Sequence, residues 1–383
     1  MQKQHKVLPH KYSSEQSRQD FVKSFKFYLA TKIAPGNKLT YELNAKPRFN
    51  KEHGREPSCR RDVDVVMKEE PFYQLWGLLQ RSSQEMMWKS CQIPVKRQWD
   101  ELNHNAIVEN NNSGSLALDP NLKTPSYLSS VDIHCQPGGY DWEQTKDDVA
   151  AGAVYDQGVY IYAMGRLGDL NDDMGISQAT YIKNKFSNIK PKRILDIGCT
   201  VGHSTLPYKV LFPDAEVYGI DVAAPVLRYA HARAESLGQS IHFSQQNAEK
   251  TNFDDESFDL IVSHILLHET SSKAIKNIMT ECNRLLKKNG WMVHSETPPY
   301  ANMDPFESFI LDWDTKHNNE PFWSLSHEVD PKNISRECNF KDETVFETMI
   351  PSVFEINQSK RTNLFQGGDF GGSGMWYIFG MQK

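Results

Sequence analysis

No C-x-x-C pair occurs in this 383-residue chain; its six cysteines (Cys59, Cys91, Cys135, Cys199, Cys282 and Cys338) are scattered. Zinc ribbons and dense disulfide scaffolds are thereby excluded, and a reducing cytoplasm is the expected location. Nor is there a run of about 18 apolar residues, so no segment is expected to cross a bilayer as a helix. The basic start Met1-Gln2-Lys3-Gln4-His5-Lys6 leads into no apolar stretch of the signal-peptide kind. No repeat with a period of about 20–50 residues is visible, which argues against a solenoid.

What is present suits a folded chain of about two domains. Hydrophobic residues make up 39% and aromatic residues 11%, enough to build a sizeable core. The net charge of −6 conceals an asymmetry, because residues 1–60 carry 13 Lys+Arg against 5 Asp+Glu. A basic arm can be a nucleic-acid footprint. Without an Arg-rich helix, an RNP-like aromatic signature or zinc-finger spacing, the expectation is a solvated arm folded back on an acidic body. Nucleic acid is not an expected partner.

Two regions follow from the patterning. Between Asp62 and Asn103, Phe72, Leu75, Trp76, Leu79, Met86, Met87 and Trp88 recur at steps of three and four, as on one buried helical face. Residues 104–130, with Asn110-Asn111-Asn112-Ser113-Gly114-Ser115, read as a linker or a long surface loop. Residues 1–147 are therefore taken as a mainly helical extension that caps a pocket or builds a homodimer. From 148 to 383, strand candidates at Arg193–Ile197, Glu216–Ile220, Ile241–Ser244, Asp259–Ser263 and Trp291–Ser295 alternate with helical patterns at Pro225–Leu237 and Lys273–Leu286. That alternation predicts an α/β fold with a mostly parallel sheet covered on both faces. Val345–Ile356 and Met375–Met381 are expected to add an antiparallel hairpin at one edge, giving seven strands.

The chemistry-bearing segment is Leu195-Asp196-Ile197-Gly198-Cys199-Thr200-Val201-Gly202-His203. A strand running into a Gly-containing loop before a helix lets backbone N–H groups approach a ligand. The next strand ends in Asp221, at the spacing of about 20 residues where a carboxylate accepts hydrogen bonds from a ribose. The pair indicates a nucleoside-bearing cofactor. A dinucleotide site would carry G-x-G-x-x-G, whereas here the pattern is D-x-G-x-x-x-G.

That pattern resembles motif I of class I S-adenosylmethionine-dependent methyltransferases, usually D-x-G-x-G-x-G. Asn247-Ala248-Glu249, with Phe253, resembles their adenine-binding loop, and Ser257–Ser263 their fourth strand. Leu285-Leu286-Lys287-Lys288-Asn289-Gly290 is similar to the turn before the fifth strand. The nearest resemblance is to the type 11 group, which includes quinone-biosynthesis and natural-product enzymes. It implies S-adenosylmethionine as cofactor and a small-molecule methyl acceptor. Asp196, Gly198, Cys199, Thr200, Gly202, Asp221, Val222, Asn247, Ala248 and His264 would then contact the cofactor. Tyr155, in a Tyr-Asp pair like that of many type 11 enzymes, would cover it, the alternative for its ring being aromatic packing. Thr200 replaces the middle glycine, so its backbone is expected to avoid glycine-like dihedrals and its side chain to point away from the cofactor.

The resemblance also nominates His268, just beyond the fourth strand, as general base and Glu296, after the fifth, as its orienting carboxylate or a substrate ligand. The alternative for His268 is a capping or pocket-lining residue. His264 and His268, four apart with Glu269 adjacent, offer no H-E-x-x-H and no evident third ligand, so no metal is expected. Phe306, Phe309, Trp313, Phe322 and Trp323 either wall the substrate pocket or pack a helix on the body. Two other readings remain: a non-catalytic cofactor-binding or scaffold protein, and an RNA or protein methyltransferase. For the RNA case the N-P-P-Y or D-P-P-Y motif is missing after the fourth strand.

Overall fold

The apolar runs of residues 193–296 become strands because each sends alternate side chains to two buried faces. Ile194, Leu260, Val262 and Val293 enter one hydrophobic cluster, while Leu195, Ile197, Ile261 and Met292 enter another on the opposite face. The computed structural model describes residues 2–108, 114–186, 189–354 and 374–383. Its strands are β1 (Ser115–Ala117), β2 (Arg193–Ile197), β3 (Glu216–Asp221), β4 (His242–Gln245), β5 (Phe258–His264), β6 (Leu286–Glu296), β7 (Lys341–Pro351) and β8 (Met375–Gln382). They form one sheet in the order β1-β4-β3-β2-β5-β6-β8-β7. The first six run parallel, and β8 lies antiparallel between β6 and β7. The connections diverge at β2, which has β3 on one side and β5 on the other. A crevice at the carboxyl ends of these strands is the place where such sheets bind ligands.

The expected seven strands are thus eight, because Ser115–Ala117 pairs with His242–Ser244 inside the stretch expected to be a linker or a long surface loop. Residues 109–113 of that stretch, and 355–356 of the expected hairpin strand, lie outside the described residues. The turn expected over Leu285–Gly290 is mostly part of β6. The chain bends there through Asn289, at φ +65°, and pairs irregularly with β5 between Phe258 and Leu260.

Residues 1–60 are not a solvated arm. Val7, Val22, Leu29 and Phe49 are fully buried, and basic residues pair with carboxylates elsewhere, as Arg48 does with Glu70 and Arg60 with Glu328. The long helix Pro71–Arg97 buries Trp76, Met87 and Trp88 but leaves Leu75 and Met86 exposed, so the expected apolar face is only partly a core face. Its core is shared across residue 148: Val22, Met87 and Trp88 cluster with Val154, Val226 and Tyr229. Phe306, Phe309 and Trp313 pack with Tyr41, Tyr73 and Trp76. Of the two readings of those aromatics, packing is therefore the observed one.

Candidate active site

β2 ends in Ile197, and the chain turns through Gly198 at φ +70° so that the N–H groups of Gly198 and Cys199 both donate to the Ile220 carbonyl. The positive φ of Gly198 favours glycine, and a Cβ there would lie 2.6 Å from Leu266 Cδ1 and push that side chain aside. Thr200 contradicts its expectation. It adopts φ +44°, in the left-handed region, and lines the cavity with the glycines' loop. Its N–H donates to Asp221 Oδ2 at 3.1 Å, a bond that helps offset the cost of that backbone for a β-branched residue.

Above the strand ends lies a cavity of about 180 Å³. Its floor holds Gly198, Thr200, Asp221, Val222, Asn247, Ala248 and His264, and Tyr155 stands at its side. These eight expected cofactor contacts are brought together. Asp196, Cys199 and Gly202 lie behind that lining. Asp196 is buried and accepts from the Thr205 hydroxyl at 2.5 Å and from His264 at 3.3 Å, so it stiffens the loop rather than facing the cavity. Burial lifts the Asp221 carboxyl to about 7, against the stabilising N–H donors of Ala223 and Thr200.

The roof comes from the end of the extension expected to cap a pocket or build a homodimer. Thr124, Tyr127, Asp132, Tyr140 and Asp141 all line the cavity. No lysine or arginine is among its described lining residues, whereas Asp132, Asp141, Asp221 and Glu269 are.

Tyr155 packs edge-on against Tyr140 and stacks on His203, with ring centroids 5.5 and 5.9 Å away. The next residue, Asp156, is a buried hub. His203 and His5 donate to its two oxygens at 2.9 and 3.0 Å, Tyr229 Oη at 2.9 Å and Gln2 Nε2 at 2.8 Å. Arg233 Nε lies 3.4 Å away. Burial opposes ionisation of Asp156, but the charges and donors of His203, His5 and Arg233 outweigh it and hold the carboxyl well below its usual range. No local pattern in the sequence signals this hub, because its partners lie up to 154 residues away.

His268 and Glu296 do meet: His268 Nδ1 donates to Glu296 Oε2 at 3.0 Å. The pair sits behind the cavity lining, with the Trp323 ring 5.0 Å from the imidazole. Burial lowers the His268 pKa, but Glu296 and Glu320 outweigh it and raise it above the ordinary histidine value. Two residues that sequence reasoning missed stand beside it. His134 is bonded at Nδ1 to Glu320 Oε1 and at Nε2 to Glu269 Oε1, both at 2.9 Å.

Residues 194–290 match a family described as a methyltransferase domain. Residues 194–290 thus have the sequence of a methyltransferase domain. Over 109 residues this domain is 34% identical to demethylmenaquinone methyltransferase from Thermus thermophilus, an overlap of 28% of this chain and 49% of the other. Over 173 residues it is 28% identical to ubiquinone biosynthesis O-methyltransferase from Glaesserella parasuis, covering 42% and 69%. The chain spans about half the length of curated relatives such as the Thermus protein. Among solved structures, phosphoethanolamine N-methyltransferase 2 from Haemonchus contortus, in complex with phosphomonomethylethanolamine and S-adenosylhomocysteine, aligns with a TM-score of 0.43. That alignment is 18% identical and covers 60% of this chain and 58% of the other. The methyltransferase domain holds the floor of the cavity, and residues 124–141, outside the matched stretch, form its roof. Among the described residues no helix is long and apolar enough to cross a membrane, and all six cysteines are free.

Proposed function

We propose that the protein transfers a methyl group from S-adenosylmethionine to an oxygen or nitrogen of a small molecule. The observation that carries this reading is the half-buried Asp221 carboxylate at the end of β3, facing one cavity with Gly198, Thr200, Asn247 and Ala248. Those residues fit the cofactor: a carboxylate whose two oxygens each accept one N–H and keep a further lone pair suits a ribose, and glycine at the positive φ of the loop lets backbone come close. Bound there, S-adenosylmethionine supplies an electrophilic methyl group on a sulfonium. Asp221 would hold the ribose hydroxyls, Asn247-Ala248 the adenine edge, and Tyr155 would cover the opposite side. Calorimetric titration of the full chain with S-adenosylmethionine tests the reading, and absence of binding overturns it.

The carboxylates and tyrosines of the lining, without a lysine or arginine among the described residues, favour a neutral or cationic acceptor over a phosphate or carboxylate. Alignment of the acceptor supplies most of the rate. The proton of an O–H or N–H acceptor is assigned to His268. Glu296 takes up its Nδ1–H and so leaves the lone pair on Nε2. Glu269, next in the chain, lines the cavity, whereas His268 lies behind the lining. His268→Ala is expected to lower kcat by about 100-fold while leaving cofactor affinity within a factor of a few. Unchanged turnover would leave alignment alone as the source of rate.

A homodimer through residues 1–147 and a cytoplasmic location belong to the same proposal. The free cysteines suit a reducing compartment. Leu39, Leu43, Leu75 and Leu78, all exposed on the N-terminal helices, are the support for a dimer. Sedimentation velocity at micromolar concentration is expected to give a species of twice the chain mass, and Leu43→Glu with Leu78→Glu is expected to return it to the monomer.

A further inference from the structure

We infer that His134, His268 and Glu269, with Glu320 bonded behind His134 at Nδ1, form a binding site for a divalent first-row transition cation of the zinc type. One ligand atom from each of the first three lies within 4.8 Å of the others. Around an ion with ligand distances of about 2.1 Å, tetrahedral ligands stand about 3.4 Å apart. His134 Nε2 and Glu269 Oε1, 2.9 Å apart, need separate only slightly to share an ion, and three protein ligands leave a fourth position open.

Three independent features point to a cation. Glu320 is 2% exposed, and its Oε2 has no hydrogen-bond partner although it is buried beside His268. Next, each imidazole is held from behind, as ligating histidines are: Glu296 takes the Nδ1–H of His268 and leaves Nε2 facing the cluster. Finally, three carboxylates (Glu269, Glu296 and Glu320) share a buried region in which, among the described residues, every ion pair they make is to a histidine. Imidazolium forms of His134 and His268 offset two of these three charges, and a bound cation would take over that role and offset the third as well. The mixture of imidazole and carboxylate donors suits zinc, manganese or iron and gives magnesium no all-oxygen cage.

The third ligand that the local sequence around His268 lacks comes from the distant roof segment. His134 is fixed there because its carbonyl accepts from Trp88 Nε1 at 2.7 Å and from Gln84 Nε2 at 3.1 Å, both on the helix Pro71–Arg97. Glu269 also lines the cavity, so an ion here borders the acceptor space and would lower the pKa of an acceptor hydroxyl that reached it. At His268 Nε2 the ion and a proton exclude each other. The base role given to His268 above is therefore that of the ion-free protein. The inference goes beyond methyl transfer and does not depend on it.

The test is titration of chelator-treated full-length protein with zinc chloride, without cofactor or acceptor. One equivalent is expected to bind, and the same sample loaded with cobalt(II) is expected to show the absorption of four- or five-coordinate cobalt. His134→Ala and His268→Ala are each expected to weaken binding by at least roughly 100-fold, and Glu296→Gln by about 10-fold, as loss of an outer partner does. The exposed His104→Ala is expected to bind as the parent does. No saturable zinc binding, equal binding by magnesium, or unchanged affinity in folded His134→Ala protein would each overturn the site. Because His134 is more exposed than His268, its variant decides the matter if His268→Ala does not fold. S-adenosylmethionine titration of the same samples keeps this result separate from the methyl-transfer reading.

Discussion

Asp156→Ala is expected to cost about 3–5 kcal/mol of folding stability, read as a lowered midpoint in chemical denaturation. The side chain is the shared acceptor for His5, His203, Tyr229 and Gln2, and its removal strands several donors at once. Arg233, 1% exposed, pairs among the described residues only with this carboxylate. Leaving that guanidinium buried without its counter-charge is the largest single contribution. Asp156→Asn restores an acceptor but not the charge, so it is expected to recover only part of the loss. A change below about 1 kcal/mol in the alanine variant would mean that the hub is hydrated or rearranges freely. The effect reaches the cofactor loop as well, because His203 follows Gly202 directly and the Tyr155 ring stacks on it.

Asp221→Ala carries the second large effect, a loss of about 100-fold or more in S-adenosylmethionine affinity. Hydrogen bonds to a charged acceptor contribute about 1.5–3 kcal/mol each, and a ribose offers two. The variant also frees the Thr200 and Ala223 N–H groups that the carboxylate now holds at 3.1 and 3.0 Å. Titration of the same group predicts a pH profile. With its carboxyl raised to about 7 by burial, Asp221 in the cofactor-free chain is protonated at pH 6 and ionised at pH 8. Binding that requires the carboxylate then weakens by about tenfold per pH unit below 7 and is flat above, so affinity falls about tenfold from pH 8 to pH 6. Asp221→Asn should bind weakly at every pH. A flat profile in the parent protein would show that the neutral acid serves equally well.

Sequence reasoning reached whatever depends on neighbours in the chain. β2, β3 and β5 could be read within a residue or so because Ile194, Leu195, Ile261 and Val262 form short runs buried on both faces. Gly198 and Asp221 were legible because a turn and a strand end set their spacing. β1 was not, since a three-residue strand with Leu116 as its one large apolar residue has no period to detect. The positive φ of Thr200 runs against its steric preference because the Asp221 bond, made with a strand end 21 residues on, offsets the cost. Leu75 and Met86 fit a helical stripe, yet the stripe is wider than the surface that covers it. His134 and Asp156 were silent for one reason. A lone polar residue shows its purpose only when partners more than 100 residues away arrive.

The placement of β8 between β6 and β7 has a consequence for biosynthesis. A chain emerging from the ribosome can pair β1 through β6 in parallel as they appear, but β7 then has no strand to join. Until residues 375–382 clear the exit tunnel, the β6 edge stays open, and Val293 and Ile350 lack the cover of Ile378. An open edge with apolar flanks is where nascent chains aggregate. The final strand acts as a closing wedge, so the sheet is completed only after translation has passed it. Chaperone binding during synthesis is expected to concentrate on the interval between β7 and β8.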